Sequence, residues 1–349
     1  MGALSQILHD PELKTIAIVG CSKNSGKTTT LNMVLRDDLA GEPHIGLFSI
    51  GIDGEETDFW LGVPKPRVTV RPGWLVASSE KALAASTART RIEDRTGIST
   101  PLGELLVARV QTEGRVLLAG VRHKGDVRQL AGRMRAAGAS RVVIDGAYQR
   151  MMAADPDVSD GIVLATGAVL GRTVALVVRK TADLLVRFLA PVATDDIDVR
   201  LLEMAVAAGR LALRSDRGEF RALPFGGAAI DEAAIRAALG SGDATLAVPG
   251  ALTERLAALL TVGRARRVRV LATDPSRVFA SAATLKRLQT RGGEFLVGRG
   301  VRLLGISVNP VSVFGHRLPE AAMIRGIRGA APGIPVFATK VGGTDGNEA

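Results

Sequence analysis

The chain has a single cysteine, Cys21, among 349 residues, so no disulfide can form within it and a reducing compartment is expected. Aromatic residues make up only 3%, which leaves Val, Leu, Ile and Ala to build the core. The four histidines, His9, His44, His123 and His316, are scattered without metal-ligand spacing, so no zinc site is expected. A Gly-x-Ser-x-Gly elbow is absent, which removes the reason to look for a hydrolase triad. The guanine-selecting pattern Asn-Lys-x-Asp is absent too. The N-terminus lacks a basic segment followed by an apolar one, so no secretory signal is expected. The most apolar stretch, 161–193, is interrupted by Arg172, Arg179, Lys180, Asp183 and Arg187. It falls short of the ~20 apolar residues that span a bilayer. These absences predict a soluble cytoplasmic protein with no membrane partner.

Acidic residues number 35 against 45 Lys and Arg, a net charge of +10. A basic balance is compatible with an anionic partner. The arginines are nevertheless spread along the whole chain, and the densest cluster, Arg264-Ala265-Arg266-Arg267, has no interleaved aromatics. Nucleic-acid binding is therefore not expected.

What is present is concentrated near the start: Gly20-Cys21-Ser22-Lys23-Asn24-Ser25-Gly26-Lys27-Thr28 fits the P-loop pattern G-x-x-x-x-G-K-[ST] in full. In that pattern backbone N–H groups cup phosphate oxygens, the lysine neutralises them and the hydroxyl holds Mg²⁺. The run Thr15–Val19 before it reads as a buried strand, and Thr29–Leu35 after it reads as a helix. Lys27 is thus the β/γ-phosphate lysine, Thr28 the Mg²⁺ hydroxyl and Thr29 the residue placed for the α-phosphate. Gly20 and Gly26 let the backbone approach the phosphates, and Lys23, Asn24 and Ser25 form the crown. Cys21 stands where partition-type ATPases carry a signature lysine, so that subclass is not supported.

A phosphate loop needs a Mg²⁺ carboxylate at the end of a neighbouring strand. Asp145 is the candidate, because Arg141–Ile144 reads as a strand leading into it and Gly146 opens a turn. A second candidate is the acidic turn after the strand Ile45–Ile50. There Asp53 or Glu55 either orients the attacking water or helps hold Mg²⁺, and the same turn reads equally well as a solvated loop. Thr166-Gly167-Ala168 is a nucleoside-facing loop or a plain turn. The run from Val308 to His316 either faces a ligand or partner, or is a structural turn.

Alternating strand-like and helix-like runs predict an α/β fold, a P-loop NTPase sheet, mostly parallel, with helices on both faces, plus a smaller C-terminal α/β domain. The expected layout is a nucleotide-binding domain at 1–215, a Gly/Pro-containing linker at 216–242, the smaller domain at 243–341 and a disordered tail at 342–349. Within it, Pro101–Val110 reads as a helix, Val116–Gly120 as one strand, and Val301–Val308 and Ile334–Ala338 as strands of the smaller domain.

Several phrases taken in order resemble a known family. They are the loop Gly20–Thr30, Gly51-Ile52-Asp53-Gly54-Glu55, Val143-Ile144-Asp145-Gly146-Ala147, and Ser159-Asp160-Gly161 through Ala165-Thr166-Gly167-Ala168. Val308-Asn309-Pro310 and Pro335-Val336-Phe337 complete the set. Together they are similar to the P-loop subunit of the lysine 5,6-aminomutase reactivase. The resemblance implies a nucleotide-driven accessory protein, a reactivase or chaperone, that binds ATP and Mg²⁺. It further implies a cobalamin-dependent aminomutase and an ATPase partner subunit as partners. The competing expectation is an ATP-dependent small-molecule kinase or ligase; a nucleotide-sensing module without turnover is a third.

Overall fold

The computed structural model describes residues 3–50, 67–146, 151–224, 231–262 and 265–339. The candidates Asp53 and Glu55, the turn around them and the tail 342–349 lie outside these residues.

Two compact units are present, one formed by the described residues of 1–181 and 302–349, the other by 182–301. The first is built on a ten-stranded sheet. Its order is Val336–Ala338, Arg302–Asn309, Gly161–Gly167, Thr15–Gly20, Arg141–Asp145, Ile45–Ile50, Leu75–Ser79, Gly103–Val110 and Thr90–Thr100, with Gly120–Val121 also paired to Ile45–Ile50. Every pairing from Val336–Ala338 to Leu75–Ser79 is parallel, and the last two strands are antiparallel. The central strand Thr15–Gly20 is buried along its whole length, as a run of β-branched residues covered on both faces must be.

Helices cover both faces. Leu31, Val34 and Leu35 pack with Ile16, Ile18, Leu47 and Val143 on one side. Gly46, offset by one residue, faces the other side, where a Cβ would meet Met134 Sδ at 3.3 Å, so the helix Lys124–Ala136 lies there. Leu31 is fully buried in the first cluster. Leu31→Ala is expected to lower unfolding free energy by about 2–5 kcal/mol, read from the midpoint of urea denaturation.

The other unit holds five strands in the order Phe220–Ala222, Ala212–Arg214, Asp243–Val248, Arg267–Ala272 and Glu294–Val297, the last three parallel. Its helices start on side-chain caps. Asp195, Asp231, Thr253 and Ser281 accept from the N–H groups of Ile197, Ala234, Leu256 and Thr284, each cap contributing about 1 kcal/mol.

Three features differ from the sequence expectations. The segment expected as a helix at Pro101–Val110 is the strand Gly103–Val110, in a hairpin with Thr90–Thr100. Leu105, Leu106, Val107 and Ala108 are all fully buried between two neighbouring strands, and that burial outweighs the helix propensity of Leu and Ala. The single strand expected at Val116–Gly120 is two short ones: Gly114–Val116 pairs with Val68–Val70, and Gly120–Val121 with Ile45–Ile50. The layout also differs. Arg302–Asn309 and Val336–Ala338 exist as strands but extend the first sheet beside Gly161–Gly167, so the smaller unit interrupts the first instead of following it. The described residues of 216–242 fall inside the smaller unit, with a strand at Phe220–Ala222 and a helix at Glu232–Leu239. Alternation is the same in both sheets, so periodicity alone does not say to which sheet a strand adds.

Candidate functional site

The strand Thr15–Gly20 ends in the glycine loop, and the helix Lys27–Met33 begins where the loop ends, continuing as a π turn through Val34–Asp38. Cys21 N–H donates to Ala165 O at 2.8 Å, which ties the loop to the neighbouring strand. Asn24 and Gly26 have φ of 60° and 94°, left-handed conformations of the kind that build anion-binding backbone nests. Gly26 also has no room for a larger residue, since a Cβ there would meet the Asn309 side chain at 3.2 Å. Across the loop, Lys27 Cγ and Cδ lie 2.8 Å from where a Cβ on Gly20 would sit, so the lysine stem crosses the base of the loop. Ser25 is fully buried, its Oγ has no hydrogen-bond partner among the described residues, and it lies 2.6 Å from where a Cβ on Gly20 would sit. Lys23 is exposed, and Ser22, Asn24 and Thr29 are half-buried. Ser22 Oγ donates to Lys23 O at 2.9 Å.

Asp145 ends the strand next to Thr15–Gly20, with Ile18 paired to Asp145. Thr28 Oγ1 donates to Asp145 Oδ2 at 3.5 Å across 117 residues of sequence. The structure thus brings the hydroxyl and the carboxylate singled out from sequence into contact. One strand further out, Ser49 is paired with Asp145. It is buried and its Oγ lacks a partner among the described residues. Among the described residues no group of three His, Cys, Asp or Glu is placed to hold a metal. Any cation at Thr28 and Asp145 would therefore draw its remaining ligands from water or a bound phosphate.

The run from Val308 to His316 reaches the same edge. Thr30 Oγ1 donates to Gly26 O at 2.9 Å and lies 2.6 Å from Ser307 Oγ, which joins the loop helix to the strand Arg302–Asn309. Asn309 is paired with Gly167 and rests on Gly26. Its Oδ1 accepts from Val311 N–H at 3.0 Å, leaving the amide NH₂ as its remaining polar group. His316 Nε2 lies 3.0 Å from Ala168 O and 3.2 Å from Gly171 O. Two carbonyl acceptors require that nitrogen to carry the proton. The imidazole thereby ties the loop 309–318 to the turn after Gly161–Gly167. Thr166, part of the nucleoside-facing candidate, instead bonds Thr181 Oγ1 at 2.7 Å in the interior, so its hydroxyl is committed to packing.

Sequence reasoning missed Ser49 as a neighbour of Asp145, and Ser307 and His316 as fixing residues. Their signal is cross-strand register, which no local motif carries. A cavity of about 680 Å³ beside Lys14, Arg128 and Asp160 opens at the start of these strands, the end away from the glycine loop. No helix among the described residues is long and apolar enough to cross a membrane. No family model matches the chain, and no curated protein or solved structure matches it either.

Proposed function

We propose that the chain is a P-loop nucleotide-binding protein that hydrolyses ATP and acts as a nucleotide-driven accessory of another enzyme. The observation that carries the nucleotide reading is the contact of Thr28 Oγ1 with Asp145 Oδ2 at the mouth of a loop with two left-handed residues. Neither residue explains the other locally. A hydroxyl at the second position of a helix and a carboxylate at the end of the adjacent strand meet where the pattern needs Mg²⁺. The donor set fits that ion, which takes one or two protein oxygens and completes its shell with water and phosphate. A cation held there neutralises charge on the β- and γ-phosphates.

The protein's own groups do the rest. The loop N–H groups and Lys27 bind the triphosphate, and the orphaned Ser25 hydroxyl offers a further donor. Asn309 and the turn 168–171, tied through His316, form the wall beyond Gly26, and we assign the base to that side. Asp53 and Glu55 remain the candidates for orienting water. The accessory role, with a cobalamin-dependent aminomutase and an ATPase subunit as partners, rests on the family resemblance alone.

The test is hydrolysis of ATP and of GTP by the purified full chain, with and without Mg²⁺, alone and with a cobalamin-dependent aminomutase. Mg²⁺-dependent ATP turnover that rises with the mutase is expected. Turnover that requires only a small phosphate acceptor replaces the accessory role with the kinase or ligase reading. Absence of both nucleotide binding and turnover removes the nucleotide reading itself.

A further inference from the structure

Arg266 and Arg267, from the densest basic cluster of the sequence, lie beside a sheet face in the unit 182–301. Arg214, Thr245, Arg269 and Glu294 are consecutive partners across four strands, so their side chains share one face of the sheet. Asp243 and Arg267, themselves paired, stand on the same face two residues earlier. Two residues in the other direction, the row Ala212, Ala247, Leu271 and Leu296 is covered by Leu201, Leu202 and Ala205 of the helix Asp196–Ala208. The helix therefore shields only one half of this face. The other half forms the floor of a cavity of about 450 Å³, lined by Arg214, Thr245, Arg266, Arg267 and Arg269 among others. Volumes of this order suit a small molecule.

Four arginines in that cavity face four carboxylates, Asp198, Asp216, Asp243 and Glu294, but not every guanidinium is in a salt bridge. Arg269 is held by two carboxylates, Asp198 at 2.8 Å and Glu294 at 2.6 Å. Arg266 approaches Asp243 at 3.3 Å. Asp216 stands exposed at the rim, packed against Gly242 with no space for a side chain there. Arg214 and Arg267 have no carboxylate partner among the described residues. They stand two strands apart and two residues out of register, about 12 Å between their Cα atoms, with Thr245 and the fixed Arg269 on the floor between and beside them. Of the four guanidiniums, those of Arg214 and Arg267 are the two left to meet an anion. Their planar forks match phosphate oxygens two at a time.

We infer that this half-covered sheet face is a binding site for a small phosphorylated molecule, with Arg214 and Arg267 gripping the phosphate and Thr245 donating from the floor. The site is independent of the glycine loop. A cavity of this volume suits a small molecule better than a nucleic-acid strand.

The experiment uses the full chain carrying Lys27→Ala, so that the contribution of the glycine loop is strongly reduced. Inorganic phosphate and pyrophosphate are titrated by calorimetry, with thermal melting to confirm that each variant is folded. Pyrophosphate is expected to bind, more tightly than phosphate, and to lose at least tenfold in affinity with Arg214→Gln or with Arg267→Gln. Arg214→Lys and Arg267→Lys keep the charge and retain more affinity than the Gln variants. Three results each overturn the inference: no pyrophosphate binding to the Lys27→Ala chain, affinity unchanged by both Gln variants, or binding of a single-stranded oligonucleotide where pyrophosphate does not bind.

Discussion

Lys27→Ala is expected to leave the fold intact and to remove most of the affinity for Mg–ATP. The fold survives because Lys27 opens the helix Lys27–Met33 and is half-buried, so no core volume is lost. Alanine is the better helix former at that position. The stem that crosses Gly20 is replaced by open space at the loop mouth. Binding suffers because a charge-assisted hydrogen bond contributes about 1.5–3 kcal/mol, and the lysine reaches two phosphate groups in this assignment. A loss of about 3 kcal/mol is about 150-fold in dissociation constant. Calorimetry with a non-hydrolysable ATP analogue measures it, and a melting curve superimposable on the parent shows that the fold is kept. Lys23→Ala is the internal control. Lys23 is an exposed crown residue, and its loss costs only a screened surface attraction. Unchanged affinity in Lys27→Ala would remove the phosphate assignment of the loop.

The parts of this site that the sequence displays are those written contiguously. Strand, glycine loop and helix follow one another within Thr15–Met33, and Asp145 ends a short aliphatic strand that is visible by itself. What is hidden depends on pairing over distance. Ser307 meets Thr30 across 277 residues and His316 meets Ala168 across 148, with a whole unit of 182–301 between the strands that carry them. A motif search has no access to such register. The charged strand Thr90–Thr100 was hidden for another reason. Its exposed residues include Arg91, Glu93 and Arg95 beside Ile92; the charges protect an edge strand from pairing with another chain and break the apolar alternation that identifies strands. Without its partner visible, Gly103–Val110 offers Glu104, Leu105, Leu106, Ala108 and Arg109, residues that favour a helix.

Asp145→Asn separates metal handling from nucleotide affinity. The amide is nearly isosteric and keeps a hydrogen-bond partner for Thr28 Oγ1, so the register of the strand Arg141–Asp145 with Thr15–Gly20 is preserved. What disappears is the negative charge that would draw a divalent cation against the phosphates. The loop N–H groups and Lys27 still bind the triphosphate, so affinity for the nucleotide is expected to fall by less than about tenfold, near 1.4 kcal/mol. Turnover is expected to fall by about 100-fold, the order of effect seen when one preorganised electrostatic group is removed from a reacting centre. The Mg²⁺ concentration for half-maximal rate should rise as well, because in this assignment the carboxylate would hold the ion together with the phosphates. Steady-state rates across a Mg²⁺ titration, beside calorimetry of the nucleotide, measure both quantities on one preparation. A loss of affinity as large as the loss of rate would mean that Asp145 shapes the pocket instead of serving the cation. Wild-type turnover would transfer the metal role to the acidic turn, and Asp53→Asn and Glu55→Gln then become the decisive pair, because a phosphate loop without any carboxylate opposite its hydroxyl has no protein oxygen of its own charge to fix the ion.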